Sequence, residues 1–435
     1  MVRYEAGVQT GAPAGEIAEV TIESIGARGD GIAHLQGAPV FVPFSVPGDR
    51  LKIRFGVTRE QGRAAEIVEI LERGADRIEP ACRHFGTCGG CALQHWGDAA
   101  YAAWKRGLVV AALAHRGLGD IEVGALIRTP PKSRRRANLK ALRRANETLL
   151  GFYERDSRRV VDVAQCPVLV PAIERFIAPL RALLDQLLRA GEQAEIDVMA
   201  AAGGLDVVIS AGFDAHMRTR TILAQFAGDN DLARVSWISE GKETPETIVS
   251  RQEVAVSCAG IGILPPPGAF LQPSEAGEAA LIERVAAACA GAKIVADLYS
   301  GCGTFALPLA KHSRVHAVEG DGAMVAALTT AAKRAGYGNK ITGEKRDLDR
   351  RPLAATELSR FDAVVFDPPR PGAAKQAIEI ARSKVPVAVA VSCNPATFAR
   401  DARTLVDGGY EIESVTPLYQ FLWSPHTEVI AVFRK

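Results

Sequence analysis

The chain has 435 residues, enough for about two to four domains, and its 48% hydrophobic and 23% charged residues are typical of a globular protein. The formal net charge of +2 indicates no class of partner by itself. The N-terminus carries no apolar segment of the secretory type, and no apolar run approaches the ~18 residues of a membrane span. We therefore expect a cytoplasmic protein with no membrane association.

The N-terminal part of the chain predicts a small β-structure. Residues 1–15 are rich in Gly and Ala, and we expect them to be disordered. From Ile17 to about Leu71, β-branched runs alternate with glycine turns and predict five short strands, typical of an oligonucleotide-binding barrel. A cysteine-rich loop follows at 82–91, and a helix is predicted from about Asp98 to Arg116.

The middle of the chain, residues 121–270, combines strand-like segments with a helix at about 171–189, where apolar residues recur at helical spacing. Between Pro130 and Asn146 it carries seven basic residues and no acidic one: Lys132, Arg134, Arg135, Arg136, Lys140, Arg143 and Arg144. Such a run is either a solvated face or a phosphate-binding stripe. The residues alone leave both interpretations open.

The C-terminal part predicts an α/β fold. After the proline-rich segment "ILPPPGAFLQP" (263–273), short apolar runs such as "KIVADLY", "FDAVVFD" and "VPVAVAVSC" alternate with helical stretches. Apolar strands between helices indicate a parallel sheet that is covered on both faces. The last two strands have no helix between them and predict an antiparallel hairpin at one edge of that sheet.

The segment "DLYSGCGTFALPLA" (297–310) predicts a cofactor loop. Gly301 and Gly303 form a turn after a strand, a helix is expected to begin at Phe305, and Glu319 ends the next strand, where an acid can bind ribose hydroxyls. The loop lacks the third glycine of a dinucleotide fingerprint and the Lys–Ser/Thr pair of a P-loop. S-adenosylmethionine therefore fits better than NAD or ATP.

The cysteines predict a metal site and a reactive thiol. Eight cysteines without a secretory signal argue against a disulfide framework, because the cytosol keeps thiols reduced. Cys82, Cys88, Cys91 and Cys166 suit zinc or an iron–sulfur cluster equally well by count. Cys393, in "VAVSCNPATFARD" (389–401), follows an apolar strand and precedes a helix. The residue types in this stretch do not decide whether Cys393 is a buried apolar residue, a metal ligand or a nucleophile.

These motifs together resemble the uracil-C5 RNA methyltransferases. The resemblance rests on motifs in the family's order and spacing, and it covers almost the whole chain: "HFGTCGGCALQH", "SRRRANLK", "VVDVAQCPVL", "FLQP", "DLYSGCGTF", "FDPPRPG", "SCNP" and "HTEVIAVF". It implies a TRAM-like, oligonucleotide-binding β-barrel over 16–72 and a central α+β RNA-binding domain over 73–95 and 121–265. A Rossmann-like class I methyltransferase domain would occupy 96–120 and 266–435.

The resemblance also implies the site. It assigns Cys393 as nucleophile, Glu428 as proton acceptor and Asp367 as a catalytic residue between cofactor and uracil. Residues that would bind S-adenosylmethionine are Gln272, Tyr299, Thr304, Glu319, Asp347 and Asp367. Family members often have other residues at Ser300 and Thr304, but the Thr304 hydroxyl remains available. The four cysteines Cys82, Cys88, Cys91 and Cys166 would hold a 4Fe–4S cluster with a structural or RNA-positioning role.

The chemistry explains why a cysteine is needed. C5 of uracil is a poor nucleophile, and addition of a thiolate to C6 turns it into an enolate carbon that attacks a sulfonium methyl. A helix that begins beyond Cys393 is expected to lower the pKa of its thiol. Cys302, in the glycine loop, is a weaker candidate nucleophile, and Cys258 and Cys289 are interpreted as structural.

Structured RNA is the expected partner, with 23S ribosomal RNA favoured over transfer RNA because of the cluster and the barrel. No obligatory protein partner is indicated. Methylation of a base amino group, suggested by "DPPR", needs no cysteine, and cytosine C5 methylation needs an acid at N3 and carries different motifs. A non-catalytic RNA-binding or RNA-folding protein on a methyltransferase scaffold is the alternative of another class.

Overall fold

The computed structural model describes residues 15–59 and 62–435, so the predicted disordered segment 1–15 lies outside the described residues except for Gly15. The chain divides into two compact units. The first comprises the described residues up to 86, residues 91–104 and residues 423–425, and the second comprises residues 87–90, 105–422 and 426–435. Across the described ranges, no helix is long and apolar enough to cross a membrane.

The first unit contains a six-stranded sheet, one strand more than predicted. Alternate residues of its strands, such as Leu51, Ile53 and Phe55, point into one apolar core. The strand order is β1-β5-β6-β4-β3-β2, with β4 parallel to β6 and the other pairs antiparallel. The strands are β1 (Ile17–Thr21), β2 (Ser24–Ile25), β3 (Gly31–Leu35), β4 (Ala38–Val42), β5 (Arg50–Arg59) and β6 (Gly62–Glu72). Next along the chain come helix α1 (Asp98–Ala114) and the short strand β7 (Ile127–Arg128), of which β7 belongs to the second unit.

The second unit contains two large sheets, and the first of these has seven strands. Helices α2 (Pro171–Leu187) and α3 (Met217–Asp229) contribute to the apolar core on one of its faces. The strand order is β10-β9-β8-β11-β12-β13-β14. The strands are β8 (Arg136–Arg143), β9 (Thr148–Tyr153), β10 (Val160–Asp162), β11 (Gln193–Ala201), β12 (Gly204–Ala211), β13 (Arg234–Ile238) and β14 (Glu246–Ser250).

The second large sheet has eight strands and follows the hairpin β15 (Val256–Cys258) and β16 (Ile261–Ile263). Its order is β19-β18-β17-β20-β21-β23-β22-β7. The later strands are β17 (Ile294–Leu298), β18 (Arg314–Glu319), β19 (Ile341–Lys345), β20 (Ala363–Phe366), β21 (Val387–Ser392), β22 (Glu411–Tyr419) and β23 (Glu428–Arg434). The helices are α4 (Glu275–Ala288), α5 (Ala306–Leu309), α6 (Gly322–Arg334), α7 (Ala355–Leu358), α8 (Ala374–Arg382) and α9 (Pro395–Asp407).

The eight-stranded sheet is covered on both faces, as its apolar strands predict. Ala296 and Val364 belong to one apolar cluster, while their neighbours Val295 and Val365 belong to another. Successive side chains of a strand point to opposite faces, so each strand must be apolar throughout. Strands β17 to β21 run parallel and place their carboxyl ends along one edge of the sheet.

The predicted hairpin of β22 and β23 is confirmed, but its position at the sheet edge is wrong. Strand β7 pairs in parallel with the end of β22, through Ile127 opposite Leu418 and Arg128 opposite Tyr419. The prediction missed β7 because a two-residue strand has no periodicity to detect. As a result, the end of β22 has a partner strand on each side.

Candidate active site

One cavity of about 810 Å³ lies at the carboxyl edge of the parallel strands in the second unit. Segments that follow β17, β18, β19, β20 and β21 contribute to its wall, as expected for an open α/β sheet. It is lined by Arg134, Arg136, Phe270, Gln272, Tyr299, Gly301, Glu319, Gly320, Met324, Arg346, Asp347, Leu348, Asp349, Asp367, Pro368, Pro369, Arg370, Cys393, Phe421, His426 and Glu428. The cavity thus brings together residues that are far apart in the sequence.

The glycine loop after β17 forms one wall of this cavity. Tyr299, Gly301 and Gly303 all have positive φ, at 59°, 54° and 100°. A Cβ at Gly303 would lie 2.8 Å from Leu328 Cδ1, so glycine is needed there for close packing. A Cβ at Gly301 or Gly320 would meet no atom within 4 Å, which leaves open space along the loop. This shape fits a cofactor that lies against the backbone.

Acidic side chains on the cavity wall are held in place by backbone amides. Glu319 Oε2 accepts a hydrogen bond from Gly301 N at 2.9 Å, and Oε1 accepts one from Asp321 N at 3.0 Å. Asp347 Oδ1 accepts from the amides of Asp349 and Arg350 at 3.0 and 3.1 Å. Both carboxylates are therefore oriented before any ligand arrives. An acid at the end of the second strand suits ribose hydroxyls.

The structure places Thr304 elsewhere. Thr304 does not line the cavity, and its carbonyl accepts a hydrogen bond from the thiol of Cys258 at 3.2 Å. The helix expected to begin at Phe305 is the single turn α5, which begins at Ala306. The predicted contact between the Thr304 hydroxyl, at the start of this helix, and the cofactor therefore has no support from the cavity lining.

Two carboxyl groups of the cavity wall interact electrostatically. Asp367 follows β20 and Glu428 begins β23, where its side chain is 3% exposed. Burial raises the pKa of both groups, and Asp367 raises the pKa of Glu428 further. Asp367 Oδ2 accepts from Gln272 Nε2 at 2.9 Å, and Glu428 Oε2 accepts from Gln420 Nε2 at 2.9 Å.

Cys393 lies at the end of β21, two residues before α9 begins. Its thiol is half-buried on the cavity wall. Burial raises its pKa to about 11, and Glu428 and Asp367 contribute to the increase while Arg370 opposes it. The net pKa is therefore raised and not lowered, because burial and two acids outweigh the effect expected from the helix start. The thiol keeps its proton at neutral pH in this state.

The remaining thiols of the sheet region are buried. Cys258, Cys289 and Cys302 are at most 3% exposed. Burial raises the pKa of Cys289 and Cys302 to about 12 and that of Cys258 further still. Such thiols neither ionise nor reach a substrate readily. This environment leaves Cys393 as the better placed nucleophile of the four.

The basic run between residues 130 and 146 does not form a continuous phosphate-binding stripe. Acidic partners lie within 4 Å of four of its side chains: Arg135 with Glu278, Lys140 with Glu195, Arg143 with Asp185 and Arg144 with Glu147. Arg134 and Arg136 instead line the cavity, and the Arg136 guanidinium lies 4.1 Å from the ring centre of the half-exposed Phe270. Two of the seven basic side chains therefore lie at the cavity.

Several cavity residues have no signal in the sequence that identifies them. Arg346 and Met324 belong to no recognised motif, and neither does Gln420, which lies behind the cavity wall as a hydrogen-bond donor to Glu428. His426 precedes the "TEV" of the last strand, and Arg370 Nη2 donates to its Nδ1 at 2.9 Å. Burial lowers the pKa of His426 to about 4, so its ring is neutral. In the sequence, only the closeness of His426 to Glu428 indicates that His426 lies at the cavity.

The four candidate cluster cysteines are half-buried, and cysteine thiolates are the usual ligands of iron–sulfur clusters. Cys82 and Cys91 belong to the first unit, and Cys88 and Cys166 pack against the core of the seven-stranded sheet in the second. Among residues 15–59 and 62–435, no three His, Cys, Asp or Glu side chains are gathered around a position for one metal ion. The cluster therefore stays a prediction.

Comparison with known proteins identifies the family. Residues 263–435 match the tRNA (uracil-5-)-methyltransferase family, and residues 13–60 match the TRAM domain. An uncharacterized RNA methyltransferase of Mesorhizobium japonicum is 44% identical over 418 residues, which are 96% of this chain and 98% of that protein. The 23S rRNA (uracil(1939)-C(5))-methyltransferase of Halomonas elongata is 32% identical over 450 residues, covering 98% of this chain and 91% of that one.

A solved structure shows the same fold. The tRNA (uracil-54, C5)-methyltransferase of Pyrococcus abyssi, in complex with S-adenosyl-L-homocysteine, matches with a TM-score of 0.74. The match covers 96% of this chain and all of that one at 21% sequence identity. Together with the TRAM match, it confirms the predicted α/β architecture with an N-terminal TRAM domain.

Proposed function

Because this chain belongs to the S-adenosylmethionine-dependent uracil-C5 RNA methyltransferases, we propose that it methylates C5 of a uridine in 23S rRNA through a covalent Cys393–C6 adduct. One observation carries the proposal: Cys393, Asp367 and Glu428 line one cavity together with the glycine loop. This chemistry requires a thiol, a base and a cofactor-binding surface in one site.

The proposed reaction begins at Cys393. After its thiol loses the proton, the Sγ electron pair forms a bond to C6, and the C5–C6 π pair moves toward C5 and O4 as an enolate. When bound, S-adenosylmethionine supplies the methyl group that C5 receives, and its sulfur keeps the electron pair of the broken bond. Tyr299, Glu319, Asp347 and Gln272 are proposed to hold the cofactor against the loop.

Glu428 is proposed to complete the reaction. Its carboxylate takes the C5 proton, the C5–H electron pair restores the C5–C6 double bond, and the C6–Sγ bond breaks with its pair returning to Cys393. Asp367 is proposed to contact the uracil ring from the cofactor side. Glu428 is buried, so little bulk water reaches the carboxylate that accepts the proton.

Ribosomal RNA is the favoured substrate. The relative from Halomonas elongata, which matches over nearly the whole chain, is named for a 23S rRNA uridine, whereas the transfer-RNA enzyme from Pyrococcus abyssi shares 21% identity and supports the fold alone. We propose that residues 73–95 and 121–265 bind the RNA. Arg134, which precedes β8, and Arg136, which begins it, support this because they place positive charge at the cavity.

The test is methyl transfer from labelled S-adenosylmethionine to unmodified ribosomal and transfer RNA, followed by nucleoside analysis. We expect label in 5-methyluridine from ribosomal RNA, and none with Cys393→Ala. Cys289→Ala, at a thiol remote from the cavity, is the matched control and should retain transfer. Label from transfer RNA alone would overturn the substrate, and unchanged transfer by Cys393→Ala would overturn the covalent route. No transfer to either RNA would favour a non-catalytic RNA-binding protein.

The cysteines Cys82, Cys88, Cys91 and Cys166 are proposed to hold a 4Fe–4S cluster. Their half-buried thiols and the family resemblance support this. When bound, the cluster would supply structural support and no electron for methyl transfer. Protein purified without oxygen should contain iron and sulfide in equal amounts, and Cys166→Ser should lose both while Cys289→Ser keeps them. Zinc in place of iron, or no metal, would contradict this assignment.

A further inference from the structure

Two glutamine side chains connect the two carboxyl groups of the cavity. Gln420 Nε2 donates to both Glu428 Oε2 at 2.9 Å and Gln272 Oε1 at 3.0 Å. Gln272 Nε2 in turn donates to Asp367 Oδ2 at 2.9 Å. Gln420, Gln272 and Glu428 are each at most 4% exposed, so bulk water does not compete for these bonds.

The orientation of the Gln420 amide follows from its neighbours. Its nitrogen lies between two oxygen acceptors, and a rotated amide would place its oxygen against both of them. In the observed orientation Oε1 is buried and has no hydrogen-bond partner among the described residues. A buried acceptor without a donor is costly, so this side chain gives up one hydrogen bond in order to donate to Glu428.

A glycine beside Gln420 Oε1 leaves space for the Gln420 amide. Gly277, in the first turn of α4, does not line the cavity. A Cβ at this position would lie 2.6 Å from Gln420 Oε1 and 2.9 Å from Ser274 Oγ. The far end of a side chain gives way more easily than backbone does, so Gly277→Ala would displace the Gln420 amide by a change made outside the cavity lining.

We propose that Gln420 is the positioning residue that holds the Glu428 carboxylate, as the acceptor of the C5 proton, against the methylated adduct; this inference rests on the proposed function. In that step the C5–H bond breaks and its proton passes to Glu428. The electron pair re-forms the C5–C6 double bond, and the C6–Sγ bond breaks to return the thiolate of Cys393. Gln420 touches neither RNA nor cofactor in this step and acts through Glu428.

The charges around Glu428 make a hydrogen-bond donor important for keeping its carboxylate ionised. Asp367 at the end of β20 and Cys393 at the end of β21 face it with acidic groups, while Arg370, Arg134 and the neutral His426 line the same cavity. Burial and Asp367 raise the pKa of Glu428, and the hydrogen bond from Gln420 lowers it. Loss of this donor would therefore favour the protonated acid, which cannot accept the proton from C5.

The test uses the full chain, labelled S-adenosylmethionine and ribosomal RNA with Gln420→Met and, separately, Gly277→Ala. We expect release of 5-methyluridine to slow at least about tenfold while the covalent protein–RNA adduct, seen on a denaturing gel, accumulates. The acid limb of the kcat profile should move to higher pH, and KM for RNA should change little. Gln376→Met removes an equally buried glutamine, which binds the backbone of Leu353, and should change neither adduct nor pH profile.

The outcomes separate this inference from the function on which it rests. If the wild-type protein forms no 5-methyluridine, the proposed function fails. If the wild type is active and Gln420→Met shows neither adduct nor pH shift, the positioning role is wrong. Should Gln420→Met fail to fold, Gly277→Ala, which keeps the glutamine, decides the question: an unchanged adduct level and pH profile would overturn the inference.

Discussion

Cys393 lies in surroundings that disfavour its thiolate. Burial and the acids Glu428 and Asp367 raise its pKa, and Arg370 is the neighbouring cation that lowers it. Three acidic groups in one buried site cannot all ionise without mutual repulsion. An uncharged thiol is protected from oxidation and metal binding while no RNA is bound, since the thiolate is the reactive form. We expect substrate binding to shift this balance toward ionisation.

Glu428→Gln should separate the two halves of the reaction. Glutamine keeps the size of the side chain but accepts no proton, so the methylated adduct should form and persist. Turnover should fall by about 10²–10⁴-fold, the range for loss of a general base, while a denaturing gel shows RNA bound to protein. The double variant with Cys393→Ala should show no adduct, and a single variant that turned over without adduct would exclude Glu428 as the base.

Activity should rise with pH. The thiol of Cys393 must lose its proton, and its pKa is raised to about 11, while the pKa of Glu428 is also raised above that of an ordinary carboxyl. Both required forms, thiolate and carboxylate, become more abundant as pH increases. The kcat/KM profile should therefore climb from neutral pH upward with no falling limb below the pKa of the thiol. A maximum near neutrality would contradict these two assignments.

At the scale of elements, the loop between β17 and α5 is shaped by close packing. Gly303 combines a φ of +100° with contact to the fully buried Leu328 of α6. Because α5 has one turn, the loop contributes its backbone shape and not a helix terminus. The Gly301 amide is directed to Glu319, which connects this loop to the end of β18.

Gly303→Ala should weaken cofactor binding. The new methyl group would have to move Leu328 or the loop, and alanine at positive φ adds about 1–2 kcal/mol of strain. A loss of about 1.4 kcal/mol of binding free energy would make the Kd for S-adenosylmethionine tenfold weaker. Calorimetry with the two proteins would measure this change. Gly291→Ala, with φ of +83° but no atom within 4 Å of the new Cβ, is the matched control. Equal affinity in the two variants would refute the packing argument.

At the scale of the second unit, Arg135 joins the two large sheets. It precedes β8, is 3% exposed, and donates from Nη2 to Glu278 Oε2 of α4 at 2.6 Å. Its Nε donates to the carbonyl of Gln272 at 3.1 Å, and its amide donates to Pro273 O at 2.9 Å. The segment that carries Gln272 into the cavity is therefore held by the other sheet.

Arg135→Met should destabilise the second unit. Removing one partner of a buried ion pair leaves the other charge unpaired and costs about 3–5 kcal/mol, seen as a lower urea midpoint. Burial raises the pKa of Glu278 and Arg135 opposes this, so without Arg135 the pKa of Glu278 rises further. Its raised pKa means that the variant should regain stability as pH falls and Glu278 protonates.

Arg143→Met is the matched control for Arg135→Met. Arg143 pairs with Asp185 at 2.8 Å, but the Asp185 side chain is 40% exposed. Breaking such a pair should cost at most about 1 kcal/mol. Glu278→Gln combined with Arg135→Met should recover part of the stability, because the buried charge is then absent. Equal losses in the two single variants would show that burial of the Arg135 pair contributes little.

The sequence by itself determined the family, the TRAM domain, the doubly covered sheet and the final hairpin. Motifs in order and unbroken apolar strands are local patterns, and short-range periodicity is enough to detect them. It also indicated Cys393, Glu428 and Glu319, because each stands beside a strand end or within a motif. The roles of these residues remain predictions until they are measured.

Tertiary structure decided the rest. Gln420 and Gln272 meet across 148 positions of sequence, and Arg135 reaches Glu278 across 143, so no local pattern could reveal either contact. The sequence left open whether the basic run is a solvated face or a phosphate-binding stripe, because it does not show where the acidic partners of Lys140 and Arg143 lie. The pKa of Cys393 depends on burial and on acids from two other strands. Long-range contacts and burial are properties of the folded chain, and they determine the chemistry of this site.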